Sequence, residues 1–213
     1  MPARRTIAAL PLGKREQTKA RNRAAILAAA RRVFGELGYD AATVRDIVRT
    51  TDLSVGTFYE YFRDKEEVFA AVADEAWAGL RERLRAVRRD RRVPFAERIR
   101  LAYLAYFQFV VDERPLYDVL ERLLWARGDQ ASSNLRLSIE ELREDLLPDA
   151  QEGALGGDDP DLVATAMVGM GLMVARRMLA RGKLDPEEAA TFCTNFALRG
   201  ARDRTGATRR RSA

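Results

Sequence analysis

The chain has no histidine and a single cysteine, Cys193. Without histidine the commonest general base and the commonest transition-metal ligand are gone. A Ser-His-Asp triad, a Cys-His pair and a zinc site of the usual kind are therefore excluded, and no metal or cofactor is expected. One cysteine forbids an intramolecular disulfide and suits a reducing interior. Long apolar runs are also missing. The longest, Leu162 to Ala175, has 14 residues, short of the roughly 20 that a spanning helix needs. It reads as a buried helix, and no membrane partner is expected. Near the N-terminus, Ile7 to Leu12 is too short for a signal core and contains Pro11. A soluble cytoplasmic protein is the expectation.

Charge is present but uneven. The net charge is +5 over 213 residues. Residues 1–32 carry nine Lys/Arg against one acid, Glu16, and residues 199–213 carry six Arg against Asp203. The ends are thus +8 and +5, and residues 33–198 are −8. A basic front on an acidic body points to a polyanion partner for the front, the alternative being a solubilising tail.

Alternation of period two is absent, and Ala, Leu, Arg and Glu dominate, so the fold class is all-α. Residues 1–17 read as a disordered basic arm and 204–213 as a disordered basic tail. The first helix spans about Thr18–Leu37, with Ile26, Leu27, Ala30, Val33, Phe34 and Leu37 on one face. Gly38 is its C-terminal cap. Thr43 with Asp46 has capping-box spacing at the start of a second helix, Thr43–Arg49. A turn over Thr50–Leu53 leads to a third, Ser54–Tyr61. Asp64 with Glu67 opens a long fourth helix ending near Arg89. Further helices are expected at Pro94–Asp112, Pro115–Arg127, Ser132–Leu147, Pro160–Ala180 and Pro186–Arg199. Pro148 to Asp159, rich in glycine and acids, reads as a flexible surface loop. The expected division is a helix-turn-helix domain over 18–67 and a helical effector-binding and dimerisation domain over 68–203.

Two short helices joined by a four-residue turn have helix-turn-helix geometry. The first crosses the DNA backbone and the second enters the major groove. Short helices are marginal alone, so Val44, Ile47, Val48, Leu53 and Phe58 must pack on the first helix. The stretches AAILAAARRVFGELGYDAATVRDIV and LSVGTFYEYFRDKEEVF resemble the N-terminal domain of the tetracycline-repressor (TetR) family. The resemblance is dense over about residues 21–69. It implies a DNA-binding transcriptional regulator, usually a repressor, acting as a homodimer on operator DNA and found in the cytoplasm or on the nucleoid.

Two positions depart from the family pattern. The turn reads Thr51-Asp52-Leu53 where the family has Ala-Gly-Val, so Asp52 is expected to take a left-handed backbone at some strain. The third helix lacks Lys, Arg, Asn and Gln, the usual bidentate base readers. The resemblance assigns Tyr59, Lys65 and Thr43 to phosphates, Thr43 through its helix N-terminus. Val55 suits a thymine methyl, and Gly56 lets the backbone approach the groove. Arg45 is the candidate for guanine. The lead-in Lys14, Arg15, Lys19, Arg21 and Arg23 suits a neighbouring groove or its phosphates. The full DNA-binding set is Arg23, Thr43, Val44, Arg45, Ser54, Val55, Gly56, Thr57, Tyr59, Tyr61 and Lys65. Packing remains open for Tyr59 and Tyr61, a solvated charge for Arg45, and pairing with nearby acids for Lys65.

In the body, Pro160–Ala180 is apolar on nearly every face and needs partners all round. The resemblance makes it, with the last helix, a dimer bundle using Val163, Met167, Met170, Val174, Phe192 and Phe196; a purely internal core is the alternative. It also implies an apolar pocket. Tyr103, Phe107, Tyr117, Leu120, Trp125, Met167 and Met170 are the candidate lining, for a hydrophobic or amphipathic effector. Ordinary core is the alternative for these side chains. A ligand-independent regulator, or an activator, would share the same head. An enzyme is disfavoured: Gly169-Met170-Gly171 lies within a helix, and no nucleophile motif is present.

Overall fold

The computed structural model describes residues 13–118, 128–182 and 185–208, with backbone alone for 128–133 and 199–208. Its helices are α1 (Lys14–Ala41), α2 (Val44–Arg49), α3 (Val55–Tyr59), α4 (Lys65–Arg89), α5 (Phe95–Asp112), α6 (Gly128–Gln151), α7 (Pro160–Arg181) and α8 (Pro186–Thr208). Residues 114–118 are also helical, and no strand occurs among the described residues. The chain divides into two compact units, 1–72 and 73–213. The division falls within α4, a single helix belonging to both.

The first unit is built on α1. Ile26, Leu27, Ala30, Val33 and Phe34 are buried along it, at the spacing that makes one helical face. The expected cap is real: Gly38 has φ 76° and interrupts the helix, which resumes for a few residues to Ala41. Leu37, expected on the buried face, is half exposed because the line of the helix ends beside it. Ile47, Val48 and Phe58 close the core, with Phe58 fully buried. Burying a phenylalanine stabilises by roughly 1.5–3 kcal/mol, which short helices such as α2 and α3 could not supply from their own hydrogen bonds. Phe34, Tyr39 and Phe69 form a tight aromatic cluster, with ring centroids 4.8–5.7 Å apart.

The ends expected to be disordered are more ordered than their composition implied. α1 starts at Lys14 rather than Thr18, with the Glu16 carboxylate accepting the Gly13 N–H at 3.2 Å. Its first turns lack apolar periodicity, so nothing in the pattern marks them as helix. At the other end the backbone stays helical to Thr208. Residues 1–12 and 209–213 lie outside the described residues.

In the second unit α5 packs on α8, and α6 on α7. Trp77 lies against Phe109, ring centroids 5.4 Å apart. α6 does not end at Leu147, as Pro148 suggested; it runs on through the proline to Gln151. The reason is tertiary. Asp149, in that last turn, is buried in a pair with Arg98 of α5 and also receives Arg91. Proline removes one helical hydrogen bond, and these ion pairs hold the turn regardless. The glycine loop then turns through positive φ at Gly153, Gly156 and Gly157, and Leu155 is buried.

A ladder of ion pairs joins α4 and its following turn to α6. Arg85 meets Glu141, Arg88 and Arg89 meet Asp145, and Arg91 meets Asp149. Burial lowers the Arg88 pKa against the attraction of Asp145. A recess lined by Arg88, Phe95, Arg98, Ile99, Asp145, Leu146 and Asp149 has about 10 Å³, room for one water.

α7 is 22 residues long, one more than the expected Pro160–Ala180, holds the 14-residue apolar run, and by length and composition alone could cross a membrane. Within this fold Ala164, Met167, Gly171, Ala175 and Met178 are buried along one face. Asp159 caps its start and Gly182, at φ 65°, its end.

Candidate nucleic-acid interface

The site is assembled by caps. Thr43 precedes α2 and accepts the Asp46 N–H at 3.2 Å. The Asp46 carboxylate returns the bond, accepting Thr43 N–H at 3.0 Å and its hydroxyl at 2.6 Å. That hydroxyl bond is the first cause holding the Asp46 carboxyl below its ordinary value of 3.8. Ser54 repeats the device for α3, accepting the Thr57 N–H at 3.1 Å with its hydroxyl 2.9 Å from that of Thr57. Ser54 and Thr57 therefore organise the start of α3.

The turn between the helices is not strained. No residue other than glycine has positive φ among the described residues, so Asp52 does not adopt the left-handed backbone expected of it. The threonines make the turn instead. The Thr50 and Thr51 hydroxyls donate to Ile47 O at 2.8 Å and Val48 O at 2.9 Å, and Leu53 N–H donates to Thr51 Oγ1 at 3.2 Å. The Arg32 guanidinium donates to Thr50 O at 3.2 Å. Hydroxyls that satisfy the last helical carbonyls replace the glycine the family uses.

This frame presents a particular set of side chains. Val55 is 41% and Tyr59 55% exposed. Thr43, Arg45, Ser54 and Gly56 are exposed, and Val44, Thr57 and Tyr61 are half-buried. A Cβ built on Gly56 would meet only Ser54 Oγ, at 3.6 Å. The fold itself thus has no need of glycine there. Arg23 is exposed with its guanidinium 5.6 Å from the Phe62 ring centre.

Lys65, expected at a phosphate, is engaged within the head. Its ammonium donates to Tyr39 O at 2.8 Å, Ala42 O at 3.0 Å and Asp40 O at 3.4 Å, and sits 4.5 Å from the Tyr39 ring centre. All three donors are directed at the end of α1, where the Gly38 break leaves carbonyls without helical partners. Its partners are carbonyls, not the acids weighed as an alternative. Sequence spacing could not show this, because 23 to 26 residues separate Lys65 from them. Arg32 was not among the expected residues either, and its bond to the turn carbonyl steadies α2 and α3.

The side chains expected around an effector are packed in the second unit's core. Tyr103, Phe107 and Tyr117 are buried. Tyr103 donates to Met167 O at 3.0 Å, and the Tyr106 and Tyr117 hydroxyls are 3.0 Å apart. Burial raises the Tyr103 pKa and pushes the Cys193 thiol up to about 12. Met170 is half-buried; Leu120 and Trp125 lie outside the described residues. Of the expected dimer residues, Phe192 and Phe196 are 56% and 66% exposed, stacked at 6.2 Å. Val163 and Val174 are half-buried. Met167 is only 8% exposed within the chain. α7 turns Leu162, Ala166 and Met173 outward instead.

An all-helical chain whose first unit displays capped short helices on a hydrophobic frame is a helix-turn-helix protein. Residues 26–72 match the model of bacterial regulatory proteins of the tetR family. An HTH-type transcriptional repressor of Mycobacterium tuberculosis is 42% identical over 80 residues, 35% of this chain and 43% of that protein. The match spans less than half the length of that relative. The HTH-type transcriptional activator FasR of Mycolicibacterium smegmatis is 25% identical over 84% of this chain and 82% of its own. A TetR-family transcriptional regulator of Pectobacterium atrosepticum has a similar structure, with a TM-score of 0.71 and 26% identity over 89% of this chain and 97% of that one. Residues 26–72 therefore carry a tetR-type helix-turn-helix, and the chain as a whole resembles DNA-binding transcriptional regulators of that family.

Proposed function

We propose that the protein is a homodimeric repressor that reads a two-fold operator through α2 and α3 and is released by a small hydrophobic or amphipathic effector. The observation that carries the DNA reading is the outward set of Thr43, Arg45, Val55, Gly56 and Tyr59 on a frame whose own hydrogen bonds are satisfied. Thr43 and Tyr59 hold phosphates. Arg45 meets a guanine edge, and Val55 a thymine methyl. Gly56 lets the α3 backbone close on the groove, with Val44, Ser54, Thr57 and Tyr61 beside it. Lys65 holds the end of α1 and positions the start of α4; a phosphate contact would require it to give up a carbonyl. Two-fold half-sites follow from a two-fold dimer.

The exposed Phe192 and Phe196 support α8 as part of the dimer face, since isolated exposed stacks of this kind are uncommon on monomers. For release, the effector must prefer the dimer that does not fit DNA. α4 is the element through which this acts, because it belongs to both units. The aromatic and methionine side chains of the second unit suit an apolar ligand. No reaction is proposed.

Footprinting on the DNA upstream of its own gene, repeated with acyl and aromatic compounds, tests both parts. No protected site sinks the DNA reading. A site that no compound releases sinks the effector reading alone. Activation is the second reading, favoured by the likeness to an activator over most of the chain. Transcription from the footprinted promoter rises with added protein if it holds.

A further inference from the structure

The first turns of α1 are a helix without an evident reason to be one. From Lys14 to Ala25 no residue is buried; the first buried side chain is Ile26. The segment carries Lys14, Arg15, Lys19, Arg21 and Arg23 against Glu16 alone. Cations in a first turn oppose the helix dipole, and a helix polar all round gains nothing from packing. Arg15, Lys19 and Arg23 lie four apart, and the same line continues through Ile26, Ala30 and Val33. The face that is core further along is therefore basic here. Lys14 and Arg21, seven apart, lie on another face, about 150° round the helix. Arg23 fixes where this stripe lies: its guanidinium rests on Phe62, whose ring neighbours Phe58 of α3 at 5.9 Å. The stripe thus rises beside the recognition helix.

We infer that Lys14–Arg23 is a second DNA contact, a helical rail that lies along backbone phosphates flanking the bases under α3. This rests on the DNA-binding reading and supplies what α3 lacks, since Val55–Tyr59 contains no cation. Ten helical residues span ~15 Å, the length of about four base pairs. The rail adds affinity without sequence preference.

The test uses the full chain and a duplex selected from a random pool by the wild-type protein. That duplex is made trimmed to the selected bases, and again with flanks of about ten base pairs, over two rail lengths, on each side. The variant carries Arg15→Gln and Lys19→Gln, both at exposed sites on the stripe. On the flanked duplex its log–log salt slope should fall by about 2 per protomer, at about 0.9 for each phosphate that is no longer neutralised. On the trimmed duplex the two proteins should bind alike. Methylphosphonates in the flanks should reproduce the loss with the wild-type chain, which covers a variant that misfolds. Equal slopes on the flanked duplex overturn the rail, as does an equal loss on both duplexes. Phosphatidylserine vesicles that hold the wild type but release the variant, with no flank effect, assign the stripe to lipid and overturn it too. If the wild type selects no duplex, the DNA-binding reading itself has failed.

Discussion

Gly56 and Lys65 show how differently two residues of one motif can be used. Glycine inside a helix costs about 0.5–1 kcal/mol relative to alanine, and the space around Gly56 would take a methyl group. Gly56→Ala should therefore raise the stability of the head by about that amount while weakening operator binding, read by thermal unfolding and by fluorescence titration. A variant that gains stability and binds normally would remove Gly56 from the interface. Lys65 is the reverse case. Lys65→Ala leaves three carbonyls without their cation, at about 1–3 kcal/mol for groups that stay desolvated. Its unfolding midpoint should drop while the salt slope of binding barely changes; a lowered slope with unchanged stability would return Lys65 to the phosphates. Arg45→Ala should cost roughly 1–3 kcal/mol at one base pair per half-site, and uniform loss over all operator variants would make it a phosphate contact. Asp46 adds a pH term. Its folded pKa is depressed by Thr43, so its contribution is present above about 3.8 and lost as pH falls through the lower folded value. Asp46→Asn should flatten that acid limb in a pH series of melts.

Among the elements, α6 runs past its expected end, and the cause is tertiary. A proline three residues after Asp145 looks like a stop. Asp145 and Asp149, four apart, instead place two carboxylates on one face, against arginines 51 to 58 positions away in sequence. Asp149→Asn should destabilise the second unit by about 3–5 kcal/mol, because it strands the buried Arg98. Replacing both Arg98 and Asp149 by apolar residues of similar size should recover most of that loss. If the single and double variants unfold alike in urea, the pair is not the clamp on the last turn. The α2–α3 turn differs from expectation for a related reason. A glycine-like conformation was expected at Asp52, but two threonine hydroxyls offered the carbonyls a solution with less strain.

For the whole molecule, charge and apolar surface are separated by function. The head's extension is basic, Glu141, Asp145 and Asp149 of the body are drawn into the α4–α6 ladder, and Phe192, Phe196, Leu162 and Met173 are left exposed. A Phe192→Asp, Phe196→Asp double variant should sediment as a monomer and lose affinity for a two-fold site far more than for one half-site. A double variant that still sediments as a dimer would move the interface elsewhere.

Local and near-local physics was legible from the residues alone. The Gly38 break, the Thr43 and Asp64 caps, the buried line of α1 and the motif of the head all depend on side chains within a few positions of each other. Spacing also identified Phe192 and Phe196 as an apolar pair on the last helix. Tertiary structure decided the rest: which carbonyls Lys65 reaches, that Met167 turns inward beneath Tyr103, and that α6 survives its proline. In each of these the partner is at least 23 residues distant, and periodicity says which face a residue is on but not what that face will meet.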